Sequence, residues 1–238
     1  MRILKGTVLA LLLLVAFSFK AEKEVELVKI KTSFGDVLIY LYDQTPQHKA
    51  NFLKLAQTGY LNGTTFHRII PNFMIQGGDP DSKDSTKEHL GGGGPGYTVP
   101  AEFNDKIIHK YGTLAGARDN NPKKESSGSQ FYIVTGKKWT DDELNSMEQR
   151  IGRKYTEEQR KTYKMLGGDP FLDGNYTVFG EVVTGMDVVE KIGNQPVRDK
   201  QENRPVHNIA MTAEIVKITS AELTKKYHFT PQVAMSEK

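Results

Sequence analysis

Residues 66–79, FHRIIPNFMIQGGD, set one arginine in a run of Phe66, His67, Ile69, Ile70, Pro71, Phe73, Met74 and Ile75 that otherwise suits a buried strand pair. Burying an unpaired guanidinium costs several kcal/mol or more. Arg68 therefore points off the core, pairs with a carboxylate, or has a chemical task. Pleat alternation turns Phe66, Arg68 and Ile70 one way and His67 and Ile69 the other. After a turn at Pro71-Asn72, Met74 and Gln76 share a face. Pairing of 73–76 beside 64–69 then gathers Arg68, Met74 and Gln76 on one surface. A cation, an amide and apolar side chains suit a mostly apolar ligand with one carbonyl to grip. The competing reading is an Arg–carboxylate tie on the outer wall, and spacing alone does not separate the two.

Other chemistry is less well supported. GGGGPG (91–96) lacks the Lys-Ser/Thr of a phosphate loop and precedes no helix, so it reads as a flexible or tight loop. Asp79, Asp81 and Asp84 lack the glycine and distal glutamate of a calcium loop and read as a solvated acidic stretch. His48, His67, His89, His109, His207 and His228 form no i, i+4 pair, which disfavours a metal site. His67 reads as a satisfied structural histidine. SSGSQ (126–130) is not a G-x-S-x-G nucleophile elbow. The absence of cysteine excludes disulfides, thiolate zinc sites and cysteine nucleophiles. A formal charge of +3 with scattered lysines argues against nucleic acid as a partner.

The positioning elements follow from periodicity. Alternation in 25–32 and 36–42 around Phe34-Gly35-Asp36 predicts a hairpin. Pro46 opens a helix that Gly59 stops, with Ala50, Leu53 and Ala56 or Gln57 on its apolar face. Further strands are expected at 64–69, 73–76, 112–117, 130–135, 177–183 and 209–218, and a second helix at 184–192. Many short strands with two separated helices imply a mainly β fold, a closed antiparallel barrel with helices at its ends. Residues 137–168 are rich in charge and helix formers, with Thr140 as a cap, and read as an insertion of one or two surface helices. After Ser220 little pattern remains, and 221–238 is expected to be an extension. A basic start and the apolar run TVLALLLLVAF (7–17), short of the ~20 residues of a membrane span, make 1–20 a signal peptide. Cleavage is expected after Ser18, with Ala21 the alternative, and export to a periplasm or cell envelope follows.

FHRIIPNFMIQGGDP closely resembles the signature of the cyclophilin-type peptidyl-prolyl cis-trans isomerases. The likeness continues through GTLAGAR (112–118), SSGSQFYI (126–133) and FLDGNYTVFGEVVTGMDVVEKI (171–192). It implies an eight-stranded antiparallel barrel capped by two helices over 25–220, interrupted by the insertion at about 137–170. The implied reaction is isomerisation of X–Pro bonds without cofactor or metal. The implied partners are proline-containing peptides and unfolded or folding proteins, handled by a monomer. Membrane contact would come only through an uncleaved signal segment. On this resemblance Arg68 is the catalytic arginine and Gln76 binds the substrate backbone. Phe73, Met74, Tyr132 and Leu172 receive the proline ring, and Ala115, Gly116, Ala117, Gln130, Phe171 and Tyr176 complete the substrate site. Four positions depart from the family pattern. Tyr132 stands for a phenylalanine and adds a hydroxyl at the pocket floor. Tyr176 stands for a histidine, and Gly116 for an asparagine whose contact the backbone would make. Phe171 stands for a tryptophan, which argues against tight binding of cyclosporin because an indole donor is lost.

Overall fold

The computed structural model describes residues 24–198 and 200–230. The expected signal peptide and the end of the expected extension lie outside the described residues. Strands β1 (Glu24–Thr32) and β2 (Gly35–Leu41) form the hairpin their alternation dictates, followed by helix α1 (Pro46–Gln57). Next come β3 (Phe66–Ile70), β4 (Met74–Gly77), the two-residue β5 (Thr98–Val99), β6 (Thr113–Gly116), β7 (Ser126–Ser127) and β8 (Phe131–Val134). Helices α2 (Asp141–Ile151) and α3 (Glu157–Met165) precede β9 (Val178–Thr184), α4 (Met186–Gly193), β10 (Met211–Thr219) and α5 (Ser220–Tyr227).

Eight strands form one antiparallel sheet in the order β10-β1-β2-β9-β6-β8-β4-β3, and β5 pairs with β7 separately. The sheet curls until its edges meet, but β3 and β10 share no ladder. Just outside them Thr65 bridges Ala210, flanked by bonds from Phe66 N to Ile209 O (2.9 Å) and Met211 N to Thr64 O (2.8 Å). Farther along β3, Ile69 N bonds instead to Asn203 O of the incoming loop. The barrel expected to be closed is therefore an open, curled half-barrel with a single-point seam.

The concave side holds Ile30, Ile39, Ile69, Ile75, Leu114, Ile133 and their neighbours, with α1 and α4 packed against them. Helix α1 buries His48, Phe52, Leu55 and Ala56. Ala50, expected on that face, is exposed, and Leu53 is half-buried. Phe52 decides the rotation, because its ring meets Phe131 and Phe179 edge-on at 5.2 and 5.4 Å. Burying one such side chain is worth about 1.5–3 kcal/mol.

The insertion is two helices, each begun by a reciprocal capping box: Thr140 with Glu143, and Thr156 with Gln159. A third box, Thr219 with Glu222, starts α5, so the expected extension begins as a helix. Leu223 of α5 is buried against Leu27 and Leu38, and Phe229 meets Tyr40 at 5.7 Å. Truncating a buried leucine removes transfer energy and leaves a cavity. Leu223→Ala is expected to lower unfolding stability by about 2–5 kcal/mol, read as a reduced urea midpoint at unchanged slope.

Candidate active site

The strand registers build the site. Arg68 lies opposite Gln76, Gln76 opposite Tyr132, and Tyr132 opposite Ala115. One row thus crosses β3, β4, β8 and β6 on the convex face, with Met74 in the row beside it. Arg68 Nη1 donates to Gln76 Oε1 (3.2 Å), and Gln76 Nε2 donates to Gln130 Oε1 (3.1 Å). Gln130 Nε2 then donates to Gly91 O (3.0 Å) and Gly93 O (2.7 Å). A guanidinium only donates and a carbonyl only accepts, so the two ends fix the orientation of both amides.

Among the described residues no carboxylate forms a salt bridge with Arg68. The alternative of an Arg–carboxylate tie is therefore not what the structure shows. Burial lowers the Arg68 pKa, yet a guanidinium stays charged at neutral pH.

Beside Arg68 lies a cavity of about 100 Å³ lined by Phe73, Met74, Gln76, Tyr132, Leu172 and Tyr176, with Ala117 and Arg118 at its edge. Drug-sized ligands take roughly 300–1,000 Å³, so this cavity fits one compact apolar side chain. A larger cleft adjoins it, running between the glycine-rich loop and Gln76, Ala117, Arg118 and Gln130.

Residues 27–216 match the family model described as cyclophilin type peptidyl-prolyl cis-trans isomerase/CLD. The chain belongs to the cyclophilin-type peptidyl-prolyl cis-trans isomerases. It is 34% identical over 185 residues to a Staphylococcus haemolyticus protein named by inference as such an isomerase, covering 77% of this chain and 87% of that one. A Staphylococcus saprophyticus protein of the same name is 35% identical over 196 residues, covering 82% and 93%. The crystal structure of a Cryptosporidium parvum cyclophilin-type isomerase, determined in the presence of the dipeptide Ala-Pro, is similar with a TM-score of 0.57 and 26% identity. That likeness covers 82% of this chain and 99% of the other.

Within this cyclophilin the expected site residues divide by position. Arg68, Phe73, Met74, Gln76, Ala117, Tyr132, Leu172 and Tyr176 converge on the cavity. Gln130 lies in the adjoining cleft as the amide that orients Gln76. Phe171 stands behind the wall, its ring 5.5 Å from Phe73. Ala115 is sealed beneath Tyr132, fully buried. Gly116 faces the opposite way: a Cβ there would strike Ser126 at 2.5–2.7 Å, and its N–H bonds to Thr177 O. The Gly116 N–H is therefore committed to Thr177 rather than to a substrate. The added hydroxyl of Tyr132 is not at the cavity either; it bonds to His109 Nε2 at 3.0 Å.

Arg118 was not anticipated. It donates to Asn175 O and Asp119 O, both at 2.8 Å, and lies over the Tyr176 ring at 4.6 Å. An arginine closing the apolar block GTLAGAR is the same anomaly that singles out Arg68. His67 is buried. Burial lowers its pKa. Among the described residues no three His, Asp or Glu side chains gather to hold a metal.

Two buried polar groups near the site bear on chemistry and stability. Ser126 Oγ lies 2.9 Å from His48 Nε2, whose Nδ1 is 2.6 Å from Glu102 Oε2. This has the order of a hydrolytic triad, but Ser126 is 1% exposed and lines neither of the two cavities described above. Glu102 instead caps α1 by accepting from the N–H groups of Gln47 and His48. Asp169 is buried with Oδ2 unpartnered, and burial, aided by Asp173, pushes its pKa up to about 8. An exposed aspartate titrates near ~3.9, so the folded protein holds a proton that the unfolded chain releases. That contribution to stability is complete below about pH 4 and is lost as pH rises through about 8. Unfolding free energy is expected to fall by on the order of 3 kcal/mol between about pH 5 and pH 8. Asp169→Asn should flatten that slope in paired denaturant titrations.

Proposed function

We propose that the protein accelerates cis-trans interconversion of X–Pro bonds in folding proteins, with Arg68 stabilising the twisted amide. The observation that carries this reading is a half-buried guanidinium, held by an amide and, among the described residues, by no carboxylate, beside a cavity the size of one small ring walled by Phe73, Met74, Tyr132 and Leu172. Amide resonance sets the X–Pro barrier at about 18–20 kcal/mol. As the bond twists, the proline nitrogen becomes pyramidal and gains a lone pair. A donor aimed at that nitrogen strengthens in the transition state and not in the planar ground state, which lowers the barrier. Phe73, Met74, Tyr132 and Leu172 seat the ring, and Gln76 binds the substrate backbone.

The basic and apolar character of 1–20 supports a further proposal, that this chemistry serves proteins folding in a periplasm or cell envelope.

Arg68→Ala is expected to reduce kcat/KM on a short X–Pro peptide by about 10²–10³-fold with the circular dichroism spectrum unchanged. Gln76→Glu, which hands Arg68 a carboxylate, should fold normally and also lose activity. Full activity in Arg68→Ala would remove the guanidinium from the mechanism. A folded wild-type protein that binds proline peptides without accelerating them would make it a binding module.

A further inference from the structure

Tyr132 floors the proline cavity, yet its hydroxyl ends a buried chain of hydrogen bonds that starts in the α2–α3 insertion. Asp173 Oδ1 accepts from the backbone N–H of His109 (2.8 Å) and lies 2.7 Å from its ring Nδ1. A carboxylate only accepts, so Nδ1 carries a hydrogen toward Asp173, and the ring's other nitrogen, Nε2, pairs with Tyr132 Oη at 3.0 Å. Asp173 Oδ2 accepts from Tyr163 Oη of the insertion at 2.6 Å, and the single hydroxyl hydrogen of Tyr155 is shared between Oδ2 (2.9 Å) and Pro170 O (2.8 Å). His109, Asp173, Tyr155 and Tyr163 are all buried, and the His109 and Tyr132 rings stack within 10° of parallel.

Apolar packing runs the same way. Ile108, next to His109, joins Leu144, Tyr155 and Tyr163 in the insertion's own core. Leu172, a wall of the cavity, directly precedes Asp173 in the turn that Tyr155 holds through Pro170 O. The insertion therefore grips both the floor and one wall of the pocket from behind, without reaching the cavity itself. In a low-dielectric interior a fully satisfied network of this kind fixes side chains that apolar contact alone would let slide.

We propose that the α2–α3 insertion is a positioning device for the proline pocket, with Tyr163, Tyr155, Asp173 and His109 setting where the Tyr132 ring and Leu172 lie. The proposal rests on the isomerase reading and adds the part of the chain that tunes its pocket. A phenylalanine at 132 would keep the ring but release it from the insertion and leave His109 Nε2 unmet. Tyr132 and His109 thus act as a pair.

The test is a double-mutant cycle in the full chain with Tyr163→Phe, Tyr132→Phe and both. It is read as separate kcat and KM on a proline tetrapeptide and as the ring resonances of ¹³C-labelled tyrosine. Tyr163→Phe should raise KM about threefold to tenfold, the coupling expected of linked hydrogen-bond partners, with little change in kcat. The effect should vanish in the Tyr132→Phe background, and Tyr163→Phe should move the Tyr132 ring resonance. Loss of stability with KM and that resonance unchanged would overturn the proposal, as would equal effects in both backgrounds. If wild type shows no turnover, the isomerase reading fails separately, and the Tyr132 resonance alone then decides the positioning role. Should Tyr163→Phe not fold, Tyr155→Phe removes a bond to the same carboxylate oxygen.

Discussion

The site depends on one constraint: a half-buried guanidinium must be held still without being neutralised. A carboxylate would hold Arg68 more firmly through charge-assisted bonds, but it would cancel the field the cation projects into the cavity. The amide of Gln76 holds it and leaves the charge intact. An amide has a direction, however, and its donor end must be satisfied in turn. Gln130 meets that need, and its own donor end is met by carbonyls of Gly91 and Gly93. The loop that supplies those carbonyls is pinned by Asp79, which accepts from Gly91 N and Gly93 N. A demand set at one arginine thus accounts for two glutamines, a glycine-rich loop and a buried aspartate.

That chain explains which parts of the site the sequence reveals. Arg68, Met74 and Gln76 lie within nine residues on two adjacent strands, so period-2 alternation and one turn suffice to place them together. The same alternation, applied to β6, separates Ala115 and Ala117 from Gly116. The family motif finds Gln130, but its role requires knowing that Gly91 and Gly93 arrive from 39 and 37 residues away. Residues 91–96 read as a flexible or tight loop because Asp79 and Gln130, which hold it, carry no local signal. Open edges of the sheet are hidden for a similar reason, since closure is decided by where β10 leaves β3 for β1. The α5 helix was legible in principle, because Thr219 and Glu222 have capping-box spacing and Leu223 follows at once.

The rim repeats the logic of the centre. Arg118, like Arg68, forms no salt bridge among the described residues and is held by uncharged acceptors, the carbonyls of Asn175 and Asp119. Its guanidinium lies against Tyr176, which stands edge-on to Tyr132 with ring centroids 6.0 Å apart. Two cations therefore border a cavity whose other walls, apart from the Gln76 amide, are aromatic and aliphatic. Neither is quenched by a carboxylate, and both sit where partial burial makes a charge act more strongly than it would in water. A planar amide offers such a mouth only its carbonyl oxygen, whereas a twisted one also offers a nitrogen lone pair. On the proposed mechanism, the electrostatics of the rim and of Arg68 would discriminate the same way, in favour of the geometry that exists only part-way through the rotation.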